Sequence, residues 1–345
     1  MSSQTVLPRW RGFNLESMVS AHHFQPLLES DFQWISDLGF DFVRVPMSYR
    51  IWSDPAQPYL IDEQKIEYVD QAVNWGEKYG IHVDLNFHRG PGYCCMPEPA
   101  EPWSLWKSPE ALRVFCFHWE YFARRYQGIP SSKLSFNLLN EAPPPTESLP
   151  EPQNLPMQDA TRAEHEKVIR ASVAAIRAID PDRMIIVDGM WYGRGAPSPE
   201  LVDLGVAQST RAYMPMGLSH YKASWWREGN MNFPVPVWPG AMEADYTPWT
   251  RQTLEDHYQQ WADLAARGVG VHCGEGGCYI QCPHDVFLKW FEDVLDILTG
   301  HNIGYALWNF RGQFGILDSG RSDVDYEDFH GHKLDGKLLR LLQKY

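Results

Sequence analysis

The chain has few cysteines, no long apolar run and no excess of basic residues. Six cysteines in 345 residues are too few for a disulfide scaffold, and Cys94 and Cys95 are adjacent, so we expect free thiols. No stretch approaches the roughly 18 consecutive apolar residues of a membrane helix. The formal net charge of -14 disfavours nucleic acid and anionic lipid as partners, because both would be repelled. A neutral substrate is favoured.

Several short signals are also missing. Residues 1–11 have no basic segment followed by an apolar stretch, which predicts a cytoplasmic protein, although a secreted protein expressed without its signal would look the same. No G-x-G-x-x-G follows the first predicted strand, and no G-x-x-x-x-G-K-[ST] or H-E-x-x-H occurs. We therefore expect no nucleotide, catalytic metal or other cofactor.

What is present is typical of one large enzyme domain. Hydrophobic residues make up 44% of the chain and charged residues 21%, and no linker divides it. Predicted strands alternate with predicted helices, and the strands fall at 10–15, 40–46, 81–88, 134–141, 184–187, 217–221, 270–275 and 303–310. Eight such strands predict an α/β fold, a (β/α)8 TIM barrel, as a single catalytic domain over residues 1–345.

The weakest part of this pattern is the fifth helix. Residues 199–204 span barely two turns, and an open doubly wound sheet would tolerate that as well. The missing phosphate-binding glycine motifs argue against the open sheet, because that fold commonly uses them. The barrel remains the favoured architecture.

Two predicted strands end in glutamates, Glu141 and Glu275. The carboxyl ends of barrel strands face one central cavity, so side chains there are both rigidly held and accessible. Two carboxyls can split a glycosidic bond, one as the proton donor and the other as the nucleophile or the base that activates water. A single glutamate after an apolar run is as often a helix first-turn charge, but the pair favours catalysis.

Further polar and aromatic residues lie at predicted strand ends. They are Arg44, His88, Asn140, His220, Tyr221 and Trp308. Among the 15 tryptophans, Trp191 and Trp225 come just after strand ends, where an indole can stack on the apolar face of a sugar ring. Most of the other loop tryptophans are expected to anchor their loops.

Two other features have alternative interpretations. A C-x4-C-x3-C-x-H cluster, formed by Cys273, Cys278, Cys282 and His284, could hold a metal, but it lacks the C-x2-C knuckle of structural zinc. The proline-rich segment 143–156 could be a stiff connection, or a wall at one end of a sugar cleft. A metal-dependent hydrolase and a carbohydrate-binding barrel without turnover therefore stay open beside the two-carboxyl enzyme.

The chain resembles glycoside hydrolase family 5, retaining enzymes on a (β/α)8 barrel that include many cellulases and mannanases. The resemblance spans almost the whole chain and is carried by Arg44 in V-R-V-P, His88 in N-F-H, the Asn140-Glu141 pair, His220, Glu275 in G-E-G and Trp308 in A-L-W-N. Residues 9–15 and 308–312 look like a bacterial subgroup of endoglucanases.

This resemblance implies that Glu141 is the acid/base and Glu275 the nucleophile. It also implies roles around them: Asn140 binds the sugar 2-hydroxyl, Arg44 orients and helps ionise Glu275, His88 and His220 bridge sugar and carboxyls, and Trp308 forms the floor of the subsite before the cleaved bond. The family usually has His, one residue, then Tyr, whereas Tyr221 follows His220 directly, which leaves open whether Tyr221 contacts Glu275. The implied substrate is a neutral β-1,4-linked glucan or mannan oligosaccharide or polysaccharide, or another β-glycoside.

Overall fold

Eight parallel strands form a closed ring. The computed structural model describes residues 7–96, 99–149, 159–226 and 233–345. The ring strands are β1 Arg11–Asn14, β2 Phe42–Ser48, β3 His82–Gly90, β4 Leu134–Asn137, β5 Met184–Asp188, β6 Ala207–Ala212, β7 Val271–Gly276 and β8 Gly304–Leu307. Each strand pairs in parallel with the next, and β8 pairs with β1. The predicted (β/α)8 barrel is confirmed.

Helices connect successive strands around the outside of the ring. They are α1 Glu29–Asp37, α2 Glu63–Tyr79, α3 Pro109–Arg125, α4 Arg162–Arg177, α5 Arg251–Ala266, α6 His284–Gly300 and α7 Gly336–Lys344. Between β5 and β6 the connection is the 3-10 helix Pro199–Leu204. The short fifth helix expected from the sequence is thus present, in the tighter 3-10 form.

Short elements decorate the loops. The 3-10 turns are Glu16–Met18, Tyr49–Ile51 and Thr146–Ser148, and one four-residue helix is Met216–Ser219. The short strands are Tyr93–Cys94, which pairs with the end of β3, Ala241–Met242 with Pro248–Trp249, and Glu327–Phe329 with His332–Leu334.

The helix boundaries follow from local chemistry. Asp62 accepts a hydrogen bond from the Gln64 backbone N–H at 3.0 Å and caps α2, which ends at Gly80 in the left-handed conformation. Ser108 caps α3 in the same way through Ala111, and Pro109 occupies its first turn. These are the start and stop signals that the sequence indicates.

The sixth strand was predicted wrongly. Residues 217–221 form the end of the helix Met216–Ser219 and a turn, and β6 is Ala207–Ala212 instead. Its sequence A-Q-S-T-R-A is polar on both faces, because Gln208 bonds the backbone of Ser198 outside the ring while Arg211 contacts carboxylates from neighbouring strands. Hydrophobic patterning does not reveal such a strand.

The barrel interior is packed with aromatic and imidazole rings at one end and with hydrogen-bonded polar side chains at the other. Near the amino ends of the strands, Trp10 stacks on His82 with ring centroids 3.7 Å apart, and Phe42 packs beside them. Toward the carboxyl ends, buried Asn, Asp and Arg side chains replace apolar ones. Within the described ranges, no helix is both long and apolar enough to cross a membrane. The polar end of the barrel is where a site can form.

Candidate active site

Glu275 lies buried in β7, held by one donor from β2 and one from the residue that directly follows β6. A register shift between Cys273 and Glu275 relative to β6 places this carboxyl inside the ring. Arg44 donates from Nη1 to Oε1 at 2.6 Å, and the Tyr213 hydroxyl donates to Oε2 at 3.1 Å. Donors of this kind stabilise the charged form of a carboxyl group.

Glu141 lies four residues beyond the end of β4, in a backbone conformation with a positive φ of 50°. Its N–H donates to Asp188 Oδ2 at 3.0 Å, and its carbonyl accepts a hydrogen bond from the Tyr93 hydroxyl at 2.6 Å. Burial, and then the negative charge of Glu275, raise the pKa of Glu141 to about 7. The two carboxyl groups therefore have contrasting surroundings, and those of Glu141 favour its protonated form.

A second arginine joins the two carboxyls. Arg211, at the end of β6, donates from Nε to Glu141 Oε1 at 3.1 Å, and its Nη2 lies 3.2 Å from Glu275 Oε1. The same Nη2 pairs closely with Asp188, which is fully buried at the end of β5. Arg44 Nη2 is 3.6 Å from Asp188 as well. Two cations and three carboxyls thus form one buried network.

Asn140 is oriented by both arginines. Its Oδ1 accepts from Arg44 Nη2 at 2.8 Å and from Arg211 Nη2 at 2.9 Å, which directs the amide N–H₂ to the other side. There Nδ2 meets Cys95 Sγ at 3.4 Å. The Asn140 amide is thereby held with its N–H₂ group turned away from both arginines.

His88 and Trp308 lie face to face at the mouth of the barrel. Their ring centroids are 5.6 Å apart with an interplanar angle of 22°. His88 is only 9% exposed, and its Nδ1 has no hydrogen-bond partner among the described residues. Burial and the charges of Arg44 and Arg211 lower the pKa of His88 to about 3, so the imidazole is neutral. A neutral imidazole with a free nitrogen can bind a hydroxyl group.

His220 and Tyr221 do not lie at a strand end, contrary to prediction. His220 follows the helix Met216–Ser219 and packs edge-on against Tyr213, with ring centroids 5.1 Å apart. Tyr221 is buried, and in the part of the chain that the structure describes the phenol bonded to Glu275 belongs to Tyr213. Arg211-Ala212-Tyr213 has the spacing of the family's His-x-Tyr motif, with arginine in place of histidine.

The two tryptophans predicted to stack on sugar differ in exposure. Trp225 is 45% exposed and stands edge-on against Tyr279, with ring centroids 4.7 Å apart, and its ring also approaches His220 and Phe314. Trp191 is half-buried against the core, and its backbone N–H donates to the Pro143 carbonyl at 3.3 Å. Trp225 therefore presents a free indole surface, whereas Trp191 mainly fixes its loop.

A groove leads away from His88 across the β1 and β2 loops. A cavity of ≈ 230 Å³ is bounded by His88, Ser48 and Arg50, among others, and a second cavity of ≈ 730 Å³ shares Arg50 and His22 with it. The larger cavity is lined by neither Glu141 nor Glu275. Since His88 lines the smaller cavity, the groove can extend a binding site for a chain of linked rings.

The cysteine-histidine cluster does not converge. Cys273 Sγ donates to the Glu275 carbonyl, Cys278 Sγ to the Leu218 carbonyl, and His284 Nε2 lies 2.7 Å from Asp335. Across residues 7–96, 99–149, 159–226 and 233–345, no three candidate metal ligands gather at one point.

The proline-rich segment is only partly within the described chain. Residues 143–149 are described and contain the 3-10 turn Thr146–Ser148, while 150–156 lie outside the described residues. The wall that the segment could form stays a prediction.

The sequence did not point to Asp188, Arg211 or Tyr213. Asp188 directly follows the correctly predicted fifth strand, so its position at a strand end was a usable signal. Arg211 and Tyr213 could have been found from the family's His-x-Tyr motif, because Arg211-Ala212-Tyr213 matches its spacing if arginine is accepted in place of histidine.

The sequence of this chain is similar to those of known proteins. The family model described as cellulase (glycosyl hydrolase family 5) matches residues 2–313. Endoglucanase C of Acetivibrio thermocellus is 26% identical over 346 residues, 92% of this chain and 95% of the relative. Cellodextrinase A of Ruminococcus flavefaciens is 24% identical over 282 residues, 80% of this chain and 76% of the relative.

Solved structures superpose on this chain along almost its whole length. A crystal structure described as a glycoside hydrolase superposes with a TM-score of 0.90 at 39% identity, covering 97% of this chain and 99% of that one. Thermotoga maritima Cel5A in complex with mannotriose superposes with a TM-score of 0.74 at 20% identity, covering 98% of each chain, and at that identity it shows the fold alone. The match to the family over most of its length means that this chain belongs to glycosyl hydrolase family 5, the cellulase family, and is a glycoside hydrolase.

Proposed function

We propose that the enzyme cleaves β-1,4-linked gluco-oligosaccharides with retention of configuration, using Glu141 as the acid/base and Glu275 as the nucleophile. The observation that carries this proposal is the contrast between the two carboxyls, which share one buried network. Glu275 accepts from Arg44 and Tyr213, whereas burial and the charge of Glu275 raise the pKa of Glu141. A charged nucleophile beside a protonated acid is what the first chemical step requires.

In the first step, a Glu275 oxygen attacks the anomeric carbon and forms an ester bond. The glycosidic C–O bond breaks, and its electron pair stays on the leaving oxygen, which takes the proton of Glu141. In the second step, Glu141 as a carboxylate removes a proton from water, whose oxygen displaces Glu275 from the anomeric carbon. Both carboxyls then return to their starting states.

The surrounding residues would position the sugar. The amide N–H₂ of Asn140 faces away from the arginines and can donate to the 2-hydroxyl. The rings of His88 and Trp308 offer a neutral donor or acceptor and an apolar surface, respectively. The exposed indole of Trp225 would stack on a further sugar ring.

The substrate assignment rests on the relatives and on charge. Relatives that align along most of this chain are named endoglucanase and cellodextrinase, which favours a glucan over a mannan. The net charge of -14 favours an uncharged glycan. Manno-oligosaccharides and other β-glycosides are the alternatives that the experiment must separate.

Product analysis on cello- and manno-oligosaccharides of two to six units tests the proposal, with Glu275→Gln assayed in parallel. We expect cello-oligosaccharides to be cleaved with retention of anomeric configuration and the variant to lose activity. Because Glu141 must be protonated to donate, kcat/KM should fall as the pH rises through about 7. Turnover by Glu275→Gln, or sugar binding without hydrolysis by the wild type, would refute the assignment.

A further inference from the structure

One guanidinium group touches both proposed catalytic carboxyls. Arg211 reaches Glu141 Oε1 through Nε at 3.1 Å and lies 3.2 Å from Glu275 Oε1 through Nη2. Its side chain is completely buried. A cation in this position acts on whichever of the two carboxyls is ionised.

The protein is shaped to hold Arg211 in place. Gly274 and Gly193 flank the side chain: a Cβ at Gly274 would lie 3.2 Å from Arg211 Nη1 and 2.6 Å from Ser209 Oγ, and one at Gly193 would lie 2.7 Å from Arg211 Cγ. Ser209 Oγ accepts from Nη1 at 3.1 Å. The guanidinium is therefore fixed by hydrogen bonds and by the absence of side chains on both sides.

The balance of charges explains why the buried Asp188 lies beside Arg211. Arg44 and Arg211 each carry a positive charge, and Asp188 and Glu275 each carry a negative one. With Glu141 protonated, this buried network is neutral overall, which avoids the large cost of an unpaired buried charge.

We propose that Arg211 is a positioning residue that acts as the shared counterion of Glu141 and Glu275 throughout the reaction. The proposal rests on the assigned roles of the two carboxyls. When the ester forms, Glu275 becomes neutral and Glu141, having given its proton to the leaving oxygen, becomes the anion. The negative charge thus moves from one contact of Arg211 to the other, and the network stays neutral in both states.

A histidine at position 211 would be a cation only while protonated, because an imidazole has an ordinary pKa of about 6.5. Arginine keeps its charge at every pH at which the protein is folded. The Arg-x-Tyr spacing therefore supplies a permanent cation at this position.

The test compares Arg211→Met and Arg211→Lys with Arg183→Met as a matched control, because Arg183 is an equally buried arginine that bonds Asp180 and backbone carbonyls. Rates are measured against pH with 2,4-dinitrophenyl β-cellobioside, whose leaving group needs no proton, and with phenyl β-cellobioside, whose leaving group does. A double variant, Arg211→Met with Asp188→Asn, removes the stranded carboxylate if the single variant folds poorly.

We expect Arg211→Met to lower both kcat/KM and kcat on the dinitrophenyl substrate by about 10²-fold, because both steps lose a preorganised charge. Loss of the cation also raises the pKa of Glu141. With the phenyl substrate, the fall of kcat/KM at alkaline pH should therefore occur at higher pH in Arg211→Met than in the wild type. In Arg211→Lys, which keeps a positive charge, it should return toward the wild-type pH. The proposal would be overturned if the alkaline fall of kcat/KM stayed at the wild-type pH in Arg211→Met, or if Arg211→Met and Arg183→Met had equal effects. An active Glu275→Gln variant would instead refute the assigned roles.

Discussion

Removing the charge of Glu275 should lower the pKa of Glu141. The negative charge of Glu275 is the second cause of the raised pKa, after burial. Carboxyls of retaining enzymes lie about 5.5 Å apart, and two unit charges at that distance repel by about 3 kcal/mol at an effective dielectric constant of about 20. That energy corresponds to about 2 pKa units. Since Arg211 offsets part of the repulsion, we expect Glu275→Gln to lower the pKa of Glu141 by about 1 to 2 units.

The pKa can be read directly from the carboxyl ¹³C shift of labelled Glu141 as the pH is varied, which needs no turnover. Glu63→Gln serves as the control, because Glu63 lies on the outer helix α2 and should leave the titration of Glu141 unchanged. A Glu141 pKa that stays the same or rises in Glu275→Gln would refute the electrostatic coupling. The acid/base role would then need another source for the raised pKa, namely burial alone.

Three further outcomes follow from named contacts. Tyr213→Phe removes the hydroxyl that bonds Glu275 and should lower kcat by about 10²-fold with little change in KM; steady-state kinetics within twofold of wild type would contradict this. Trp225→Ala should raise KM for cellotetraose several-fold while changing the free energy of unfolding by less than about 1 kcal/mol, and an unaltered KM would remove Trp225 from the binding surface. Asp335→Ala removes the cap of α7 and the carboxyl group that lies 2.7 Å from buried His284, so urea unfolding should show a loss of about 1 to 2 kcal/mol in the free energy of unfolding, whereas a loss below about 0.5 kcal/mol would mean that the cap is unimportant.

The parts of the fold that could be predicted were those with a strong hydrophobic periodicity or with helix-capping residues. The barrel follows from alternation of apolar runs with capped helices, and α2 and α3 begin and end where Asp62, Gly80 and Ser108 indicate. The candidate carboxyls Glu141 and Glu275 were found because each follows an apolar run. Local sequence carries this information, since caps and strand runs are local features.

What the sequence could not supply were contacts between strands. β6 is polar because its side chains contact partners from β5, β7 and the loop before it, and such pairing has no local signature. For the same reason the sequence left open whether Tyr221 contacts Glu275, and the phenol that bonds Glu275 is that of Tyr213. The buried carboxylate of Asp188 is explained only by its contact with Arg211, which is 23 residues further along the chain.

The two glycines beside Arg211 constrain how this enzyme can change through evolution. While arginine occupies position 211, a mutation that adds even a methyl group at Gly274 or Gly193 must displace the guanidinium or Ser209. Replacement of Arg211 by a shorter side chain would remove the contact at Gly193 but not its positive φ of 72°, and at Gly274 the close approach to Ser209 would remain. Lineages that keep the arginine should therefore also keep both glycines, and loss of the arginine alone would not release either position.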